Sequence, residues 1–341
     1  MNSYSNYSLK PHNTFGLDVT ADNFIEYGSV EELREAIPGL QKPMLHIGQG
    51  SNMLFCGDFH GTVLHSRILD LEIVNDGLES VSVRVGSGMV WDDFVAWCVS
   101  NGLYGAENLS GIPGEVGASA VQNIGAYGAE ACDIIERVEV LDALNLELLS
   151  FDASECGYAY RNSIFKQPQF RKYFVTHVTF RLSRQWQPNL KYKALAVKFA
   201  ETGSDVSCAG QPSAAQLREA VLEMRNSKLP DPKVLGNAGS FFVNPVVSDM
   251  TAETIRFLYP DMPSYPAADG RVKLSAAWLI DKAGWKDVKA GPVGVYEKQP
   301  LVLVNLGGAT GNDVVELASA IITDVWERFG VELHMEVNKI G

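Results

Sequence analysis

The chain has 341 residues, 46% of them hydrophobic and 20% charged, with a formal net charge of −13. That length admits two or three domains and a sizeable core, while the acidic balance leaves no basic footprint for nucleic acid or an anionic membrane surface. Five scattered cysteines without CxxC, six histidines without HxxxH or HExxH, a polar N-terminus and no membrane-length apolar run argue against a metal site, a signal peptide and a membrane span. A reduced, cytoplasmic protein without a metal is expected.

Ser29 and Glu32 form a capping-box pair ahead of Leu33 and Ile37, which predicts a helix over 30–37. The apolar run 43–47 reads as a buried strand ending in Gly48-Gln49-Gly50-Ser51-Asn52, a turn whose small side chains let a ligand approach the backbone. Strands are expected at 62–65 and, by period two, at 81–85. Gly86-Ser87-Gly88 then turns the chain into a helix at 89–100, whose Val90, Phe94, Trp97 and Cys98 read as core.

The stretch 102–130 has glycines at 102, 105, 111, 114, 117, 125 and 128 and almost no cationic charge. Such density reads as a loop with backbone in unusual φ/ψ or pressed close to something, and its rows of N–H groups suit the phosphates of a large cofactor. The amide pair Gln122-Asn123 inside it is too costly to bury without partners. No turn matches GxGxxG and no lysine follows a glycine, so the usual dinucleotide-binding fold and a P-loop are both excluded.

Further on, 138–141 and 146–150 read as a hairpin, and 174–182 as a strand in which His177 is a sheet residue. Between them Arg161 stands among tyrosines, either laid over a ring or offering two parallel donors to a carboxylate. A polar, mobile segment is expected over 201–213, then a helix at 213–227 capped by Ser213 and Gln216. Its end runs into the proline-stiffened linker 229–233, where Arg225, Lys228 and Lys233 are the densest cations of an acidic chain, a diphosphate site or a solvated helix end. Ser240, between small residues and two phenylalanines, lacks a local His/Asp pair to make it a nucleophile and fits a general acid better. The last region carries a helix at 275–284, a strand at 301–304, a helix at 312–329 capped by Asn312, and a strand at 331–337 bearing Glu336.

GQGSN (48–52), SGIPGEVGASAVQNIGAYGAE (110–130), YRNSIFK (160–166), KLPDPKVLGNAGSFFVNP (228–245) and LHMEVNKIG (333–341) occur in this order along nearly the whole chain. Together they resemble the UDP-N-acetylenolpyruvoylglucosamine reductases, flavoenzymes that complete UDP-N-acetylmuramate. The resemblance implies an α+β architecture: an FAD-binding fold of the vanillyl-alcohol-oxidase/PCMH type in two lobes, 1–70 and 71–229, and a substrate domain, 230–341, whose terminal strand 331–341 returns to the active site. It implies non-covalent FAD held by Gly48, Gly50, Ser51, Asn52, Ser110, Gly111, Pro113, Gly114, Gly117, Ala118, Gln122, Asn123, Gly125, Ala126 and Tyr127. It gives Ser240 the proton, Arg161 the substrate carboxylate and Glu336 an orienting or proton-sharing role, with Tyr192, Arg225, Lys228, Asn244 and Gln299 on the nucleotide. NADPH and the enolpyruvyl substrate would share one cleft in a monomer, and the length of the region around Tyr192 suggests the longer subtype with a tyrosine loop. Val243 stands where the family often has lysine, and Asn338 where arginine is expected. A different flavin oxidase of the same fold, or a non-enzymatic sugar-nucleotide binder, is the rival reading.

Overall fold

The computed structural model describes residues 1–201, 211–267 and 270–341. Most of the segment expected to be mobile, 201–213, therefore lies outside the described residues. The chain divides into two compact units, one of residues 1–7, 22–49 and 60–227, the other of 8–21, 50–59 and 228–341.

The first unit is built on an antiparallel five-stranded sheet in the order Leu148–Asp152, Ile135–Asp142, Tyr173–Ser183, Ser80–Gly86 and Leu71–Asp76. Val81, Val83 and Val85 alternate onto one buried face, where Trp91, Phe94 and Phe180 pack with them, all at 0% exposure. Each such side chain contributes about 1.5–3 kcal/mol relative to staying in water. A second sheet, ordered Asn2–Ser8, Thr20–Tyr27, Phe59–Ser66 and Met44–Ile47, packs against α1 (Val30–Ala36) through Tyr27, Leu33 and Leu64. The cap of α1 is as expected: the Ser29 hydroxyl accepts from the Glu32 N–H at 3.1 Å. Trp91 and Phe94 stand on α2 (Trp91–Ser100), and the Trp91 indole N–H donates to the Leu109 carbonyl at 2.9 Å.

Within the glycine-rich stretch the expectation of an unbroken loop is corrected. Val116–Gln122 forms α3. Ala118, Ala120 and Gln122 are good helix formers, and Gly117 is demanded by packing: a Cβ there would lie 2.8 Å from the Ser87 Cβ. The helix ends at Asn123, whose φ of +48° is the left-handed cap that Asn tolerates. A further helix that the sequence does not announce, α4 (Lys193–Glu201), lays Leu195 on Leu217 and Val221 of α5 (Ala214–Lys228). The reciprocal Ser213–Gln216 cap of α5 is present, with bonds of 3.2 and 2.8 Å.

The second unit has an antiparallel sheet ordered Gly236–Ser240, Val302–Asn305, Val293–Val295 and Lys289–Ala290, and a smaller one of Val246–Val247, Val272–Leu274 and Ser264–Pro266. Among the described residues, the helices α6 (Asp249–Leu258), α7 (Ala276–Lys282) and α8 (Gly311–Phe329) accompany them. In α8, Val314, Leu317, Ala318, Ile321 and Val325 form the buried stripe that 3.6-residue periodicity requires. Thr310, not Asn312, caps it: Thr310 and Asp313 close a capping box that lies two residues earlier than expected. The terminal strand is likewise displaced. It is Asn338–Ile340, pairing in parallel with Met53–Phe55, whereas 331–337 joins the unit through single bonds and one bridge, Phe242 with Met335.

Candidate flavin and substrate site

In the first unit the ribbon 110–130 is laced to its surroundings from several sides. The Ser110 side chain is fully buried and donates to the Glu107 carbonyl at 2.6 Å. Gly111, at φ +70°, gives its N–H to Asp92 at 2.6 Å, and its carbonyl accepts from Arg225 Nε at 3.0 Å. Asp92 is held in turn by both terminal guanidinium nitrogens of Arg218. Burial alone would raise Asp92, but the Arg218 bonds and the Gly111 N–H outweigh it and hold the carboxyl below its usual range. Gly114, buried behind exposed Pro113, donates to Gln49 Oε1 at 3.1 Å and accepts from Trp91 N–H at 3.0 Å. A Cβ on Gly48 would come 3.1 Å from the Glu115 carboxylate, whose other oxygen meets buried His65 at 2.9 Å; burial raises the Glu115 carboxyl.

The far end of α3 is closed by one loop. The Ser163 hydroxyl donates to the Val121 carbonyl at 2.7 Å, Lys166 Nζ to Gln122 Oε1 at 2.9 Å, and Arg161 to the carbonyls of Asn123 and Gly125. Asn123, fully buried, returns a bond from Nδ2 to the Ala159 carbonyl at 3.0 Å. Three side chains of YRNSIFK thus satisfy acceptors at a helix C-terminus, and two of them bring the cationic charge that end favours. Arg161 also lies over the Tyr160 ring at 5.1 Å, which is the arginine-on-tyrosine alternative, while its donors go to main-chain carbonyls within the chain. Gly125 and Ala126 begin a two-residue hairpin, and Tyr127, at φ +50°, meets Tyr192 edge to face at 5.2 Å. Ala118 is exposed on the outer side of α3.

Arg225 is spent on Gly111 and burial lowers its pKa, while Lys228 and Lys233 stand exposed on the second unit.

In the second unit, buried Asn237 shapes the approach to Ser240. Its Oδ1 accepts from Gly239 N–H at 2.9 Å, its Nδ2 donates to the Leu235 carbonyl, and the register slips between Asn237 and Ser240 as Gly239 takes φ +68°. Ser240 pairs with Val302, and the next residue, Phe241, is tied through N–H to Leu301 and through its carbonyl to Glu336 N–H at 2.8 Å. Ser240 and Glu336 are therefore brought onto neighbouring stretches of backbone. Gln299 sits in the turn that carries Leu301, its Oε1 3.4 Å from the Leu301 N–H. Asn244 Oδ1 accepts from Ala276 N–H at the start of α7. Asn52 accepts at its carbonyl from both the backbone and the side chain of Asn338, so the residue standing in for an expected arginine fixes the turn that begins at Gly50. Gly50 and Ser51 precede it, and a Cβ on Gly50 would lie 1.9 Å from the His12 carbonyl.

That contact belongs to a feature the sequence does not disclose. The segment Pro11–Gly16 is a hub: Thr14 accepts from Asn237 N–H and donates to the Gly50 carbonyl, and the Phe15 carbonyl accepts from Asn305. Asn13 holds the segment in shape through bonds to Leu9 and Leu17. Its one signal is the cluster of Pro11, Asn13 and Gly16 in a polar stretch. Lys166 is a second such residue, placed by its motif but with no role that the sequence alone suggests.

The left-handed positions at Gly111, Gly114, Asn123, Tyr127 and Gly128 fold the ribbon into successive concave turns of backbone amides. The N–H groups of Gly111 and Gly114 and the Asn123 amide are engaged within the protein, so it is the close, side-chain-poor turns of this ribbon that fit a ring system carrying a diphosphate tail.

The comparisons agree. A family model described as an FAD binding domain matches residues 21–145, which defines the class: an FAD-binding flavoprotein. A second model, for the C-terminal domain of UDP-N-acetylenolpyruvoylglucosamine reductase, matches residues 231–340. The chain is 50% identical over 98% of its length to the UDP-N-acetylenolpyruvoylglucosamine reductase of Bacteroides fragilis, with 99% of that protein covered. With its counterpart from Porphyromonas gingivalis it shares 46% identity over the whole of both chains. The chain belongs to the UDP-N-acetylenolpyruvoylglucosamine reductase family. A crystal structure of that reductase from Thermus caldophilus superposes with a TM-score of 0.67 at 22% identity, covering 100% of this chain and 98% of that one, and shows the same fold.

Proposed function

We propose that the chain reduces UDP-N-acetylglucosamine enolpyruvate to UDP-N-acetylmuramate with NADPH, as an FAD-dependent oxidoreductase of cell-wall precursor synthesis, in the cytoplasm and as a monomer. FAD would be held by the two lobes at 1–70 and 71–229, with 230–341 as the substrate domain. Bound FAD supplies the redox chemistry, accepting hydride from NADPH and returning it to the terminal vinyl carbon. NADPH and the enolpyruvyl substrate use the same cleft in turn.

The roles of the protein follow from its donors. Hydride arrival at the vinyl carbon leaves negative charge on the adjacent carbon and its carboxylate, which Arg161 meets with a fixed guanidinium. Ser240 gives its hydroxyl proton to that carbon, and Glu336 orients the enolpyruvyl group or shares in the proton's delivery. Tyr192, Arg225, Lys228, Asn244 and Gln299 take the nucleotide diphosphate and its sugar; Arg225 must exchange its bond to Gly111 to do so. The cofactor rests on Gly48, Gly50, Ser51, Asn52 and the ribbon 110–127.

The observation that carries this reading is the bulge at Gly239. It shifts the register just ahead of Ser240, which still pairs with Val302, and the following residue, Phe241, accepts through its carbonyl from the Glu336 backbone N–H, so that the two residues proposed for proton delivery stand on joined backbone. Anaerobic NADPH consumption is the test. It should proceed with the enolpyruvyl nucleotide and be absent with simple alcohols; oxidation of an alcohol instead would replace this reading by the oxidase.

A further inference from the structure

Lys166 sits half-buried at the end of YRNSIFK, and its ammonium makes bonds of different kinds. It donates to the Gln122 side-chain oxygen at 2.9 Å and to the Arg161 main-chain carbonyl at 3.0 Å. A lysine has three N–H donors and no acceptor, so the Gln122 amide is oriented with oxygen toward Lys166 and nitrogen to the other side. Gln122 is 9% exposed, and a swing of that amide would leave its oxygen buried without this charge-assisted bond. Arg161 holds φ +54°, a left-handed conformation that an arginine keeps only when its surroundings impose it. The bond from Lys166 to its carbonyl and the paired Ala159–Asn162 backbone bonds supply that constraint.

We propose that Lys166 is a positioning residue that sets the Gln122 amide and the Arg161 backbone from a single charge. It couples the cofactor-facing end of α3 to the loop that carries the carboxylate-binding guanidinium. The proposal rests on the reading above that FAD lies along 110–127 and that Arg161 meets the substrate. Losing the ammonium removes the bond to the Gln122 oxygen and the bond to the Arg161 carbonyl together, so binding of two different ligands should weaken.

The test compares wild type, Lys166→Met and Lys166→Arg. FAD affinity is measured by fluorescence quenching on apoprotein, the flavin absorption spectrum on the loaded protein, and KM and kcat with the enolpyruvyl nucleotide. Loss of a charge-assisted bond predicts FAD affinity weaker by about tenfold in Lys166→Met, with KM raised by a similar factor and the flavin band shifted. Lys166→Arg, which keeps the charge and the donors, should restore both. Should Lys166→Met yield no folded protein, Lys166→Gln, which removes the charge, is one bond shorter and keeps a polar end with two donors, carries the same comparison. A flavin-binding wild type beside a variant of equal FAD affinity, unshifted spectrum and equal KM overturns this inference alone. A wild type that takes up no flavin overturns the functional reading and this inference with it.

Discussion

At the scale of single residues, the buried histidines show how packing sets charge. His46 has its Nε2 2.6 Å from the hydroxyl of fully buried Tyr27 and its ring 5.1 Å from Phe174. Burial, with the nearby His65 adding repulsion, lowers its pKa from 6.5 to about 4. The sign follows directly. Above pH 6.5 neither folded nor unfolded chain protonates this ring, and its contribution to stability is complete. As pH falls toward 4 the unfolded chain takes up a proton that the folded chain refuses, so stability drops. The full loss, reached below both values, is on the order of 2–3 kcal/mol. Urea midpoints of wild type and His46→Asn at pH 7 and pH 4.5 isolate it, because every other titrating group is common to both proteins. Wild type should lose more stability than the variant on acidification; equal losses would mean that His46 is not held neutral.

Elements in this chain depend on close approaches that only glycine permits. The strand carrying Ser240 starts at Gly236, where a Cβ would stand 2.2 Å from the Phe15 carbonyl. Gly236→Ala must push apart two segments of backbone and should cost about 1–3 kcal/mol, read as a lowered melting temperature of the apoprotein. An unchanged melt would show that the Phe15 segment can move aside. This contact also marks the limit of what the sequence discloses. The Ser29 and Ser213 caps are legible because cap and partner lie three residues apart. Thr310 and Asn312 are both good caps two positions apart, and only the position of Asp313 decides between them. Helix α3 is hidden by the glycines around it, since Gly117 looks like a loop residue until Ser87 is seen beside it. The hub at Pro11–Gly16 is invisible because its partners Asn237 and Asn305 are far along the chain. The motif glycines and Ser240 itself, by contrast, are legible, though not the strand Gly236–Ser240 that carries it. Dense glycine is costly in ordinary helices and strands, and a serine between small residues and two phenylalanines stands out by its neighbours alone.

For the molecule as a whole, two compact units each bring a distinct chemical kit. One offers a ribbon of backbone amides with Arg161 and Lys166 bound to its turning points; the other offers Ser240 and Glu336 on neighbouring backbone. No helix among the described residues is long and apolar enough to cross a membrane. The division of labour predicts that the two halves of the catalytic cycle can be separated by one atom. Removing the Ser240 oxygen should leave the redox cofactor and its reduction untouched, because that step needs no proton from the protein. The direct measurement is anaerobic stopped-flow of Ser240→Ala and wild type, following flavin absorbance first with NADPH and then with the enolpyruvyl nucleotide. The account predicts wild-type bleaching by NADPH in both proteins and, in the variant alone, reoxidation slowed by at least about a hundredfold, the usual loss when a positioned acid is removed. Reoxidation of the variant at the wild-type rate would contradict it.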